Sequence, residues 1–102
     1  MSAFVKVSSV QDLTPGQGKL VTVNNRRIAL FNVGGQYYAL DDVCPHRGAS
    51  LSEGDLEGGE VICPWHGARF ELGTGAIKAP PAAVGVRSYP VRTQGSDIEV
   101  EL

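Results

Sequence analysis

The sequence predicts an all-β domain, and three observations carry that prediction. Glycine is abundant, with 13 in 102 residues, and turn-forming dipeptides interrupt the chain every few residues. The segments between the turns are short and rich in β-branched residues. Their apolar positions alternate instead of recurring at the helical period of about 3.6 residues. One stretch shows this plainly: Ile98, Val100 and Leu102 alternate with Asp97, Glu99 and Glu101, the pattern of a strand with one buried and one wet face.

In chain order, residues 4–7 make a first short strand. Ser8-Ser9-Val10-Gln11-Asp12-Leu13 can form one helical turn that stops before Pro15, because proline cannot continue a helix. Residues 20–23 and 28–33 are strands joined through Asn24-Asn25, a dipeptide that tolerates positive φ. Gly34-Gly35 then turns the chain into a strand over 36–40. At the other end, residues 86–92 and 98–102 form a hairpin around Gly95-Ser96. The region from about 42 to 81 is different in kind, glycine-rich, with short strands expected only at 60–62 and 69–72. The expectation is one domain, 1–102: a β-sandwich base from residues 1–41 and 82–102, with a small metal-binding subdomain inserted over about 42–81.

Composition narrows the function. Apolar content of 42% with 20% charge is that of a soluble globular domain. A net charge of −2 argues against nucleic acid, which demands a concentrated basic face. Among the nine Lys and Arg only Arg26-Arg27 are adjacent, a doublet read here as a solvated turn. Asp41, Asp42, Glu53, Asp55 and Glu57 form an acidic cluster, read as a solvated face with the capacity to steer a basic partner. No apolar run approaches the roughly 20 residues that span a bilayer. The first residues, Met1-Ser2-Ala3-Phe4-Val5-Lys6, lack the basic and apolar regions of a secretory signal. A cytoplasmic location with no membrane partner is expected, and there two cysteines favour metal or redox chemistry over a disulfide.

Both cysteines and both histidines of the chain fall in two short runs, Cys44-Pro45-His46 and Cys63-Pro64-Trp65-His66, sixteen residues apart. Three readings compete. The plainest makes Cys44 and Cys63 ordinary buried cysteines, but it leaves the clustering of all four residues to coincidence. A structural zinc site accepts two Cys and two His, although zinc sites usually take a Cys pair followed by a His pair. Here the order is interleaved. A two-iron cluster with two Cys on one iron and two His on the other suits that order, since each loop then delivers one ligand to each iron.

Cys44-Pro45-His46-Arg47-Gly48 and Cys63-Pro64-Trp65-His66-Gly67 resemble the two cluster-binding loops of the Rieske [2Fe–2S] family. Gly73-Thr74-Gly75 followed by Pro80-Pro81 resembles that family's third, proline-containing loop, so the likeness covers nearly the whole chain. The resemblance implies a Rieske-type antiparallel β-sandwich base and one [2Fe–2S] cluster per chain. It implies Cys44 and Cys63 as ligands of a buried iron, with His46 and His66 on an exposed one.

Two imidazoles in place of two thiolates leave the oxidised cluster neutral, which raises its potential into the Rieske range of roughly −150 to +300 mV. Respiratory members of the family carry an extra Cys in each loop; the corresponding places here are Ala49 and Trp65. High-potential members also aim a Ser and a Tyr hydroxyl at the cluster, and here Ala68 and Phe70 stand instead. A low-potential centre is expected. The free nitrogens of the histidines should titrate, so the potential should fall only at alkaline pH. Trp65 is read as shielding the cluster while partly exposed, with a docking role as the alternative. Arg47 is read either as a solvated loop residue or as a contact for an acidic partner.

There is no third His for a two-His, one-carboxylate iron site and no dinucleotide-binding glycine motif. The chain therefore resembles a soluble Rieske ferredoxin of bacterial aromatic-ring dioxygenase systems: a one-electron carrier, not an enzyme by itself. Its implied partners are a flavin-containing ferredoxin reductase and a terminal oxygenase, in aromatic hydrocarbon catabolism. A monomer would leave the histidine edge free. The alternatives are the small subunit of an assimilatory nitrite-reductase-like enzyme and a zinc-stabilised interaction module.

Overall fold

A computed structural model describes residues 3–45, 48–65, 67–79 and 84–102. They form eleven strands in three antiparallel sheets, with two single-turn 3-10 segments and no α-helix among the described residues. Strands β1 (Phe4–Ser9), β11 (Asp97–Glu101) and β10 (Val91–Gln94) make one sheet, with β11 central. The second sheet runs β2 (Gln17–Val23), β3 (Arg26–Val33), β4 (Gln36–Asp41), β9 (Ser88–Tyr89). The third runs β5 (Asp55–Glu57), β6 (Glu60–Ile62), β7 (Arg69–Glu71), β8 (Ile77–Ala79). No helix is long and apolar enough to cross a membrane.

Strand β3 explains how the three sheets share one body. Five consecutive residues of it, from Ile28 to Asn32, are buried, the signature of a strand covered on both faces. Successive side chains of a strand point to opposite faces. Ile28 and Leu30 accordingly join Val21, Ala39, Tyr89, Ile98 and Val100 in a core shared with the first sheet. Ala29 and Phe31 face the other way, joining Leu40, Leu51, Val61, Phe70 and Leu72 in a core shared with the third. Register agrees, since the cross-strand partners Ala29 and Leu40 lie in one core while Leu30 and Ala39 lie in the other. Fully burying a side chain such as Phe31 contributes about 1.5–3 kcal/mol. A one-residue slip would invert both cores at once.

The hairpin turns follow the sequence. Asn24 and Asn25 adopt φ of 51° and 65°, and Gly34 and Gly35 adopt 60° and 92°, the two-residue geometry that matches strand twist. Three expectations need revision. The run 86–92 is two strands, not one: β9 pairs with β4 and β10 pairs with β11. Pro90 lies at the break, and lacking an N–H it cannot continue a ladder. The middle region holds a four-stranded sheet where two strands were expected, because β5 and β8 are three residues each and too short to announce themselves. Arg26-Arg27 is the start of β3 and not merely a turn.

Candidate metal centre

The two cysteine runs fold into matched loops. Cys44 N–H donates to the Ala49 carbonyl at 2.8 Å, and Cys63 N–H donates to the Ala68 carbonyl at 2.7 Å. Both loops are thus closed between positions five residues apart, in segments reading Cys-Pro-x-x-Gly-Ala. Gly48 and Gly67 occupy the same place in each and adopt φ of 75° and 76°, a left-handed conformation that a side chain would strain. Ala49 and Ala68 are both buried, at 1% and 0% exposure. This repeat is visible in the sequence once the two runs are aligned on cysteine. Reading only the ligand types passes over it.

The loops are mounted differently. The second is the turn of the β6–β7 hairpin, where Ile62 pairs with Arg69. The first has no hairpin beneath it, only the isolated bridge Val43–Ser50. Its support is Asp42, wholly buried. The Asp42 carboxylate accepts from Ser50 Oγ at 2.6 Å and from the Ser52 N–H at 2.9 Å, and pairs with Arg27 Nη2 at 3.1 Å. No buried side-chain nitrogen or oxygen lacks a partner among the described residues. The solvated acidic cluster is therefore corrected. Asp42 is internal, Asp41 accepts a 2.6 Å hydrogen bond from the Tyr89 hydroxyl, and Glu57 pairs with Arg69. Only Glu53 and Asp55 remain as simply exposed members.

At the base of each loop Cys44 and Cys63 are buried and free, and the Cys44 thiol neighbours that of Cys63. Burial pushes the Cys63 thiol up, and the neighbouring Cys44 pushes it further, while the Trp65 N–H directed at its sulfur pulls it down. Two facing thiols that form no disulfide, one already receiving an amide hydrogen bond, fit a centre that binds both as thiolates. His46, Arg47 and His66 lie outside the described residues, so their expected roles are not placed. Pro80 and Pro81 of the third loop lie outside them too. Of that loop, Gly75 receives the Val86 N–H on its carbonyl at 2.8 Å. Gly75 adopts φ of 77°, and a Cβ there would collide with the Val86 carbonyl. Trp65 is 53% exposed, in keeping with the partial exposure expected of it.

Apolar residues pack with the two cysteines. Ala49, Ala68, Phe70 and Leu72 share one core with Cys44 and Cys63, and Ala68 and Phe70 are fully buried. None carries a hydroxyl.

The sequence profile of the Rieske [2Fe–2S] domain family matches residues 3–90. The chain belongs to the Rieske [2Fe–2S] domain family. It is 37% identical over 99 residues to the biphenyl dioxygenase ferredoxin subunit of Pseudomonas sp. strain KKS102, covering 96% of this chain and 91% of that one. Among solved structures it is similar to the ferredoxin of carbazole 1,9a-dioxygenase from Nocardioides aromaticivorans IC177, with a TM-score of 0.91, 32% identity and 96% of each chain covered. A ferredoxin chain in a complex of reduced oxygenase and oxidized ferredoxin in carbazole 1,9a-dioxygenase matches with a TM-score of 0.87 at 36% identity, covering 95% and 91% of the two chains. A protein assigned as an NADPH nitrite reductase small subunit matches at 26% identity with a TM-score of 0.83, covering 96% and 97%.

Proposed function

We propose that this chain is a one-electron carrier, taking electrons from a flavin-containing reductase and passing them to the terminal component of a ring-hydroxylating oxygenase system. The observation that carries the reading is the pair of matched loops presenting Cys44 and Cys63 together as buried, unbridged thiols. The whole-length likeness to dioxygenase ferredoxins supports it. Cys44 and Cys63 would hold one iron of a [2Fe–2S] cluster, and His46 and His66 the other. With no further Cys or His in the chain, one cluster per chain follows. Such a cluster supplies reversible one-electron chemistry.

The chain's own residues tune and deliver that chemistry. Ala68 and Phe70 put methyl and ring carbon where a hydroxyl would favour the reduced form, so a potential near the bottom of the Rieske range is expected. Residues 1–41 and 82–102 act as the base, and about 42–81 as the cluster-binding insertion. Val43, Trp65 and Val84 are exposed apolar residues in the segments bearing or flanking the loops, and such residues suit brief contact with a partner. This reading expects a cytoplasmic monomer.

The test is reconstitution. Purified chain mixed with a flavin reductase and its nicotinamide donor should be reduced within the mixing time, and substrate oxidation by the oxygenase should depend on added chain. Failure of the reductase to reduce it would count against the reading. The likeness to a nitrite reductase small subunit favours a second one, for which stable co-elution with a nitrite reductase large subunit is the distinguishing result.

A further inference from the structure

We propose that Asp42 is a positioning residue for the metal centre: its buried carboxylate clamps the base of the first loop and fixes a negative charge that lowers the potential. The inference rests on the cluster reading above.

Asp42 ties three segments together. Its N–H donates to the Arg27 carbonyl at 3.0 Å, and its own carbonyl receives the Leu51 N–H at 2.7 Å. Its side chain gathers Ser50, Ser52 and Arg27. The start of β3, the end of β4 and the turn after Ala49 are thereby held in one place, with Cys44 two residues along the chain. An asparagine could accept from the same serine and amide. What it lacks is charge, and a fully buried carboxylate is retained only when its partners offset the desolvation.

The arrangement of that charge is asymmetric. The Asp42 side chain is 0% exposed and the Arg27 side chain is 48% exposed. Water screens the guanidinium more than the carboxylate, so the field of the pair at the buried end of the loop is negative. Adding an electron to a centre beside a fixed negative charge is harder, and the potential is lower for it.

The midpoint potential of the loaded protein, read by spectroelectrochemical titration beside its iron content, tests both halves. Asp42→Asn, which removes the buried negative charge, should raise the potential, and Arg27→Gln, which removes its positive partner, should lower it. Arg27→Lys should restore the wild-type value. Shifts of opposite sign are not the mark of a loosened loop, which would move both variants the same way. Should Asp42→Asn fail to hold iron, the clamp is supported and the Arg27 pair decides the charge. An Arg27→Gln potential that stays put or rises overturns the proposal, as does an Arg27→Lys value that falls equally far. Wild-type protein that binds no iron–sulfur cluster overturns the underlying reading instead.

Discussion

The two cysteine loops share one pattern and one hydrogen-bond closure, yet only one of them has a sheet to stand on. The loop of Cys63 is the turn of a regular hairpin between β6 and β7, so its geometry comes from backbone ladders. The loop of Cys44 leaves β4 and is closed by the single bridge Val43–Ser50, so side chains, above all Asp42, must reinforce its few backbone bonds. A short loop needs a frame, and the chain supplies it once by register and once by a buried carboxylate. The second solution is the more fragile, because it depends on individual polar groups that have no substitute if removed.

The comparison breaks most severely at the cysteines. Cys44→Ala and Cys63→Ala should each abolish iron binding, since the loops contribute equally. Iron assay and visible absorption of the purified variants check this, and retention by either variant would make the loops unequal partners. The difference between the frames comes next. Asp42→Ala should cost about 2 kcal/mol, the scale of hydrogen bonds to a charged group, and lower the melting temperature by about 10 °C in a domain of this size. Arg69→Gln, which removes the half-exposed pairs with Glu57 and Glu60 beneath the second loop, should lower the melting temperature much less, since pairs reached by water contribute little. Equal losses in the two variants would erase the distinction.

A smaller effect concerns what lines the sulfurs. Ala68→Ser or Phe70→Tyr should each raise the midpoint potential. A hydrogen bond about 1 kcal/mol stronger to the reduced state corresponds to about 40 mV for one electron. A drop in potential would show that these positions do not face the cluster. The smallest effect lies in the base. Burial and the Asp41 carboxylate raise the Tyr89 hydroxyl above its ordinary value. Below about pH 10 both folded and unfolded forms keep the proton, and the stabilisation is intact. As pH rises beyond that the unfolded chain ionises first, so stability falls until the folded pKa is passed. Tyr89→Phe should be less stable at neutral pH but flatter above it, in melting curves taken across that range.

Much of this was legible in the residues. The alternation of 98–102 and the apolar run 28–33 announced β11 and β3, and Asn24-Asn25 and Gly34-Gly35 announced their hairpins. The interleaved Cys and His order points to the family from sequence alone. The role of Asp42 is not legible, because a carboxylate among other carboxylates has the same letter whether it faces water or a serine ten residues on. Its partners Arg27 and Ser52 are far enough away in sequence that only the tertiary fold unites them. The break within 86–92 is harder to read, because alternation says which residues are buried, not which sheet buries them; Pro90 is its signal. β5 and β8 escaped because three residues carry too little periodicity to separate strand from loop.

The central claim is that the interleaved pairs Cys44, His46 and Cys63, His66 hold a two-iron cluster and not zinc. Metal and acid-labile sulfide analysis of the purified chain, with reductive titration of the same sample, tests it most directly. The account predicts coloured protein with equal iron and sulfide that takes up one electron per two irons. Colourless protein carrying one zinc per chain and accepting no electron would contradict it.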